Sequence, residues 1–172
     1  MYEKFDEQLV KEIYDLHING EFPWYFNDVT TGEDAITNTY TRDSFQFTHT
    51  FFRDNKIKSP LFKIVKKLLD SKYKYNKIHR IKSNLTTKIP FIRPDDYRPI
   101  HQDTPESGYM SLLYYVNDSD GDTLIFHPQD NEKHIRYQPK KGTGVWFPSN
   151  SWHSGSNPVK TDFRIVINYM VS

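Results

Sequence analysis

Near the start of the chain, apolar residues recur at three- and four-residue steps: Phe5, Leu9, Ile13 and Leu16, with Val10 beside them. Charged residues fill the opposite side, so the spacing predicts an amphipathic helix. Asn19-Gly20 is a fitting C-terminal stop for it. A second helix is predicted to open at Ser59-Pro60, with Ser59 as N-cap and Pro60 in the first helical position. Leu61, Ile64, Val65, Leu68 and Leu69 form its apolar stripe, and Lys63, Lys66 and Lys67 face water.

From about residue 78 the pattern changes to short β runs divided by turn residues. Residues 78–85, 109–116, 123–127, 133–137, 143–147 and 162–171 read as strands. Pro90, Pro94-Asp95-Asp96, residues 117–121, Pro128, residues 139–142 and residues 148–157 read as the breaks between them. Strands after two helices predict a mainly β fold with flanking α-helices packed on one outer face. The favoured version is a double-stranded β-helix, the jelly roll of the cupins. The chain is expected to be one domain over residues 1–172, with 1–77 as a helical, substrate-side region and 78–172 as the jelly-roll core.

Composition narrows the chemistry. A chain of 172 residues buries a sizeable core without metal or disulfide staples. It has no Cys, which excludes disulfides, thiolate ligands, zinc fingers and Cys nucleophiles. The 12 Tyr, 12 Phe and 10 Pro suit a β-rich fold with many turns. Lys and Arg number 23 against 22 Asp and Glu, a balance that gives no general reason to bind nucleic acid. The one basic stretch, residues 56–82, is expected to be the solvated face of a helix plus a loop. The first residues hold no apolar leader segment, and no run approaches a membrane span. A cytoplasmic protein is the expectation.

Of seven His, only His101 is followed two positions later by a carboxylate, Asp103. With 22 acidic residues, about one such match arises by chance, so the pair needs context. In an extended segment both side chains point the same way and are placed to share one metal. A third ligand must come from a distant segment. His17 lies in the first helix, His49 far upstream, His79 among basic residues and His134 in the polar run KHIRY. His153, in the turn PSNSWHSGSNP after the apolar run GVWF, is the preferred candidate; His127, ending TLIFH, stays open as the alternative.

Eleven residues after His153, Arg164 stands inside the apolar run FRIVINYMV. Alternation groups it with Val166, Asn168 and Met170 on one face. A strand Arg there is an exposed edge residue, half of a structural salt bridge, or a bidentate clamp for a small carboxylate. Two His and one carboxylate suit non-haem iron(II) and leave positions open for a chelating 2-oxo acid and dioxygen.

The order HQD (101–103), WH (152–153) and FRIVI (163–167) resembles the iron(II)/2-oxoglutarate oxygenase superfamily, particularly its prolyl-hydroxylase-like branch. The likeness runs from about residue 78 to the end and includes MSLLYYVND, GDTLIF and PKKGTGVWFPSNSWHSG. The compact length and FPWYF (22–26) also look like small versions found in phage genomes, which would act in a host cytoplasm.

The resemblance implies that His101, Asp103 and His153 ligate iron(II), and that Arg164 pairs with the distal carboxylate of 2-oxoglutarate. Tyr115, second of a Tyr-Tyr pair, would support that carboxylate, unless it is simply core packing. Asn84 would contact the metal-bound end of the co-substrate, and Asn168 would add a polar contact. The sequence departs from some relatives in having Val166 two residues after the Arg, and it lacks the dense Arg pattern of the nucleic-acid demethylase branch.

Iron(II), 2-oxoglutarate and dioxygen are the implied cofactors, with ascorbate an optional reductant. The implied reaction hydroxylates an unactivated C–H bond, leaving succinate and carbon dioxide. The leading substrate is a prolyl residue in a peptide or protein, or a related amino acid. Loops around Trp24–Phe26, Ile92–Pro99 and Trp152, with Arg93 or Arg98, would set that choice, although ordinary loop packing explains these positions as well. A cupin-like metalloenzyme without 2-oxoglutarate and a degenerate jelly-roll binding module are the alternatives, and oligomeric state is left open.

Overall fold

Both predicted helices form. The computed structural model describes residues 2–28, 34–128 and 130–172, without the side chains of 130–132. In chain order the elements are β1 (Glu3–Lys4), α1 (Glu7–Ile18), β2 (Tyr25–Asn27), β3 (Gln46–Arg53), β4 (Lys56–Ile57) and α2 (Phe62–Asp70). There follow β5 (Ile78–Thr87), β6 (Met110–Tyr115), β7 (Thr123–His127), β8 (Asp130–Tyr137), β9 (Thr143–Pro148), β10 (His153–Gly155) and β11 (Phe163–Val171).

Asp6 caps α1 by accepting the Leu9 N–H at 3.1 Å, and Asn19 ends it as expected. α2 starts two residues later than its Ser-Pro signal. The Ser59 hydroxyl accepts the Leu61 N–H, and the Ser59 carbonyl accepts that of Phe62. Ser59 and Pro60 thus build a turn leading into the helix, and Leu61 takes the cap position without a side-chain bond.

Two antiparallel sheets face each other. The larger runs β1-β9-β6-β11-β5-β3-β2, with β4 paired to β3; the smaller runs β10-β7-β8. His101 extends the smaller sheet through an antiparallel bridge to His153. Alternation along β11 then separates two environments. Ile165, Ile167 and Tyr169 point outward with Ile81, Leu112 and Tyr114 and are covered by Ile13 of α1 and by Val65, Leu68 and Leu69 of α2. Val166 points between the sheets with Leu113, Tyr115, Val145 and Phe147. The smaller sheet contributes Leu124 and Phe126, packed with Tyr97 and Ile100. This is a double-stranded β-helix with both helices on one outer face.

The six predicted strands are present, within three residues at their ends. The pattern did not single out β3, whose QFTHTFFR pairs with β5 from Phe47 to Arg53. The larger sheet therefore draws strands from both sides of residue 78. β1, β2, β4 and β10 are two or three residues long, too short to show a period. Among the described residues, no helix is long and apolar enough to cross a membrane.

Candidate metal and co-substrate site

The central strands bring a polar stripe to the inner face. In the register, Arg164, Val166 and Asn168 of β11 lie opposite Thr86, Asn84 and Lys82 of β5. On the other flank, Val166 and Asn168 lie opposite Tyr115 and Leu113 of β6. Between this stripe and the smaller sheet is a cavity of about 240 Å³, lined by His101, Asp103, His153, Arg164, Asn84 and Asn168 among others.

His101 and His153 face each other as a hydrogen-bonded pair, each backbone N–H donating to the other's carbonyl at 2.9 Å. Their rings lie 4.4 Å apart. Each ring Nδ1 meets the carbonyl two residues back, Pro99 at 3.1 Å for His101 and Ser151 at 3.0 Å for His153. A carbonyl only accepts, so Nδ1 carries the proton and Nε2 keeps its lone pair. The His153 Nε2 is 4.0 Å from Asp103 Oδ2, and the ligand atoms of all three residues lie within 4.8 Å of one another. Burial, with His153 alongside, pushes the His101 pKa down to about 3, so this ring is neutral at ordinary pH. Two imidazoles and a carboxylate, with no thiolate, form a donor set that fits iron(II).

Asp103 is fixed from three sides. The Ser111 hydroxyl donates to Oδ2 at 2.6 Å, the Asn168 amide donates at 2.9 Å, and Arg80 forms an ion pair with Oδ1. Burial alone would raise the carboxyl pKa. Arg80, His153 and the Asn168 and Ser111 donors more than offset it and hold Asp103 well below the usual carboxylate range.

About four residues along the stripe, Arg164 is buried with Nη2 donating to the Thr123 hydroxyl at 2.7 Å. Among the described residues its Nε has no partner, nor do the buried Tyr115 hydroxyl, Asn84 Oδ1 and Thr86 Oγ1. Native proteins rarely leave so many buried polar atoms unanswered in one place, and a dicarboxylate answers the donors among them. Burial raises the Tyr115 pKa, which keeps the phenol protonated and able to donate. Two glycines make room. A Cβ on Gly155 would sit 3.3 Å from Arg164 Nη1, and one on Gly121 would meet the Ser156 carbonyl at 2.7 Å.

Six of the seven candidate site residues line one cavity; Tyr115 does not line it and lies in the inner apolar cluster, in the field of Arg164. His101, Asp103 and His153 form one group; Arg164 and Tyr115 lie beyond it; Asn84 lines the cavity between; Asn168 bonds Asp103. His127 is exposed at the end of β7 and lies outside the group. His17, by contrast, is buried between Ile13 and Ser83. Of the loop positions, Trp24 and Trp152 pack on cores, Arg93 is exposed and Arg98 lines the cavity.

Arg80, Lys82, Ser111 and Thr123 were not singled out. Arg80 and Lys82 correct the reading of residues 56–82 as a solvated face, because β5 turns both toward the cavity. Strand alternation from Asn84 back to Lys82 and Arg80 was the signal available for them.

Residues 90–171 match the family model of the 2OG-Fe(II) oxygenase superfamily. No curated protein matches the chain. The fold is similar to that of a 2OG-Fe(II) oxygenase-family oxidoreductase from Burkholderia pseudomallei, at 14% identity and a TM-score of 0.70, covering 97% of this chain and 80% of that one. It is also similar to a Trichoplax adhaerens prolyl hydroxylase in complex with a hypoxia inducible factor peptide fragment, at 13% identity and a TM-score of 0.67, covering 99% and 82%. A viral collagen prolyl hydroxylase from Paramecium Bursaria Chlorella virus-1 shares 20% identity with a TM-score of 0.54, covering 99% and 95%. Residues 90–171, just under half of the chain, thus carry the 2OG-Fe(II) oxygenase match, and together with the His-Asp-His group they support a 2-oxoglutarate-dependent iron dioxygenase.

Proposed function

We propose that His101, Asp103 and His153 hold iron(II), that Arg164 and Tyr115 hold the distal carboxylate of 2-oxoglutarate, and that the enzyme hydroxylates an amino-acid substrate, with a prolyl residue as the leading case. The observation that carries this is the pairing of His101 and His153, each with Nδ1 on a carbonyl, and the gathering of their ligand atoms with that of Asp103 within 4.8 Å of one another. Bound iron(II), with 2-oxoglutarate and dioxygen, supplies the oxidising power for an unactivated C–H bond, with succinate and carbon dioxide as co-products.

The protein's own groups bind and orient. Ser111 and Asn168 hold the Asp103 carboxylate in one rotation, so its lone pairs are aimed before a metal arrives. Arg164 offers its free Nε edge while Thr123 anchors Nη2, and the Tyr115 hydroxyl is an adjacent donor. The apolar inner cluster of Leu113, Val145, Phe147 and Val166 excludes water from the space between these groups. The prolyl assignment is supported by the likeness of HQD, WH and FRIVI to the prolyl-hydroxylase-like branch and by prolyl hydroxylases among the similar folds.

Anaerobic titration of the iron(II)-loaded protein with 2-oxoglutarate tests the reading. A weak metal-to-ligand charge-transfer band is expected, and its absence in the wild type would sink the proposal. Arg164→Ala should weaken 2-oxoglutarate binding by at least tenfold; equal affinity would remove Arg164 from the site. Succinate formation with prolyl peptides then tests the substrate.

A further inference from the structure

The cavity carries more positive charge than the metal and co-substrate require. Arg80, Lys82, Arg98 and Arg164 line it against one carboxylate, Asp103. In the reading above, the two charges of iron(II) balance the two of 2-oxoglutarate, so the protein's own excess remains. Three of the cations are answered. Arg80 pairs with Asp103; Arg98 donates to the Ser44 carbonyl at 2.6 Å and lies in the field of Asp43; Arg164 serves the co-substrate.

Lys82 is different. Among the described residues its ammonium makes no hydrogen bond and no ion pair. Burial and the repulsion of Arg80, Arg53 and Arg98, partly offset by the attraction of Asp103, push its ammonium down to about 8. A half-buried lysine among guanidinium groups is unfavourable until an anion arrives, and an anion there gains from all of them.

Its position separates it from the co-substrate's anchor. Lys82 lies opposite Asn168, which bonds Asp103, whereas Thr86, four residues further along β5, lies opposite Arg164. At the rise of a strand those two rows are roughly 13 Å apart. Lys82 therefore flanks the triad, on the side of the sheet where β3 pairs with β5.

We propose that Lys82 is the docking point for an oxyanion of the primary substrate, a carboxylate or phosphate a few bonds from the carbon presented at the triad. The proposal rests on the iron and 2-oxoglutarate reading and refines its substrate class. A prolyl residue inside a neutral peptide does not meet this requirement. A free amino acid, or a residue with a carboxylate or phosphate close by, does.

The test uses protein loaded with zinc(II) and 2-oxoglutarate, which binds without turnover, and the probes acetate and sulfate at constant ionic strength against chloride. A saturable rise in Tm is expected with acetate, sulfate or both. Acetate alone assigns a carboxylate, sulfate alone a phosphate-like group, and both a general oxyanion site. The rise should vanish in Lys82→Met and return in Lys82→Arg, while calorimetry shows 2-oxoglutarate affinity within twofold of wild type. No saturable rise overturns the proposal, since general salt stabilisation does not saturate. So does a rise that survives Lys82→Met, which means that the metal or the surface holds the anion. A tenfold loss of 2-oxoglutarate affinity in Lys82→Met also overturns it, placing Lys82 in the co-substrate site. Failure of the wild type to bind zinc(II) and 2-oxoglutarate would instead sink the underlying reading.

Discussion

An imidazole has one nitrogen lone pair to give a metal when its other nitrogen is protonated, so the tautomer must be set before the metal binds. His101 and His153 solve this locally and in the same way, with Nδ1 on the carbonyl two residues back. No distant side-chain partner is needed to set either tautomer. Asp103 is the opposite case, oriented by residues from three other strands: Arg80 of β5, Ser111 of β6 and Asn168 of β11. Ser111→Ala removes one of those donors and leaves the buried Ser149 hydroxyl without its 2.8 Å partner. Iron(II) affinity should fall by about 10- to 100-fold, the usual effect of losing a group that orients a ligand. Competition with a chromophoric chelator measures it, and unchanged affinity would mean that Asn168 and Arg80 suffice.

Helix α1 is tied to the larger sheet by a buried polar contact as well as by its apolar stripe. His17 accepts from or donates to the Ser83 hydroxyl of β5 at 2.7 Å and meets the Ile13 carbonyl at the same distance. The carbonyl requires a proton on Nδ1, so Ser83 donates to Nε2. Burial pushes the His17 pKa down to about 4 from 6.5. The folded pKa lies below the unfolded one, so the unfolded chain takes the proton first. Stability from the neutral ring is complete above about pH 6.5 and is lost as pH falls toward 4, by about 3 kcal/mol in all. Urea denaturation at pH 7.5 and pH 4 should show the wild type losing about that much more than His17→Leu. Equal losses would show that His17 is protonated without cost in the folded protein. The helices themselves were legible because their apolar spacing is local. β3 was not, because its Phe51-Phe52 pair breaks the alternation, and a bulge between Thr50 and Phe52 absorbs the irregularity.

At the scale of the molecule, residues before 78 are part of the same sheet as those after it. β3 covers one edge of β5, β1 pairs with β9, and the helices cover the outward face of β11. A fragment of residues 78–172 would expose that face and leave β5 an open edge, an arrangement prone to aggregation. We expect the fragment to show no cooperative thermal transition by circular dichroism, and the full chain to show one. A cooperatively folding fragment would assign residues 1–77 to an accessory layer.

The sequence by itself determined the β-rich class, the two helices, the strands from residue 78 onward, and the candidates His101, Asp103 and Arg164, with His153 preferred and His127 open as the third ligand. These follow from local periodicity and from an Arg that is out of place in an apolar strand. Only the tertiary structure decided that His153 rather than His127 joins the group, because the choice depends on which segment bridges to His101 across the smaller sheet. It also revealed the partners of Asp103 and the isolated ammonium of Lys82. Those depend on the register of β5, β11 and β6, which sets residues far apart in sequence side by side. A strand's own pattern tells which residues share a face, but not which neighbours will meet them there.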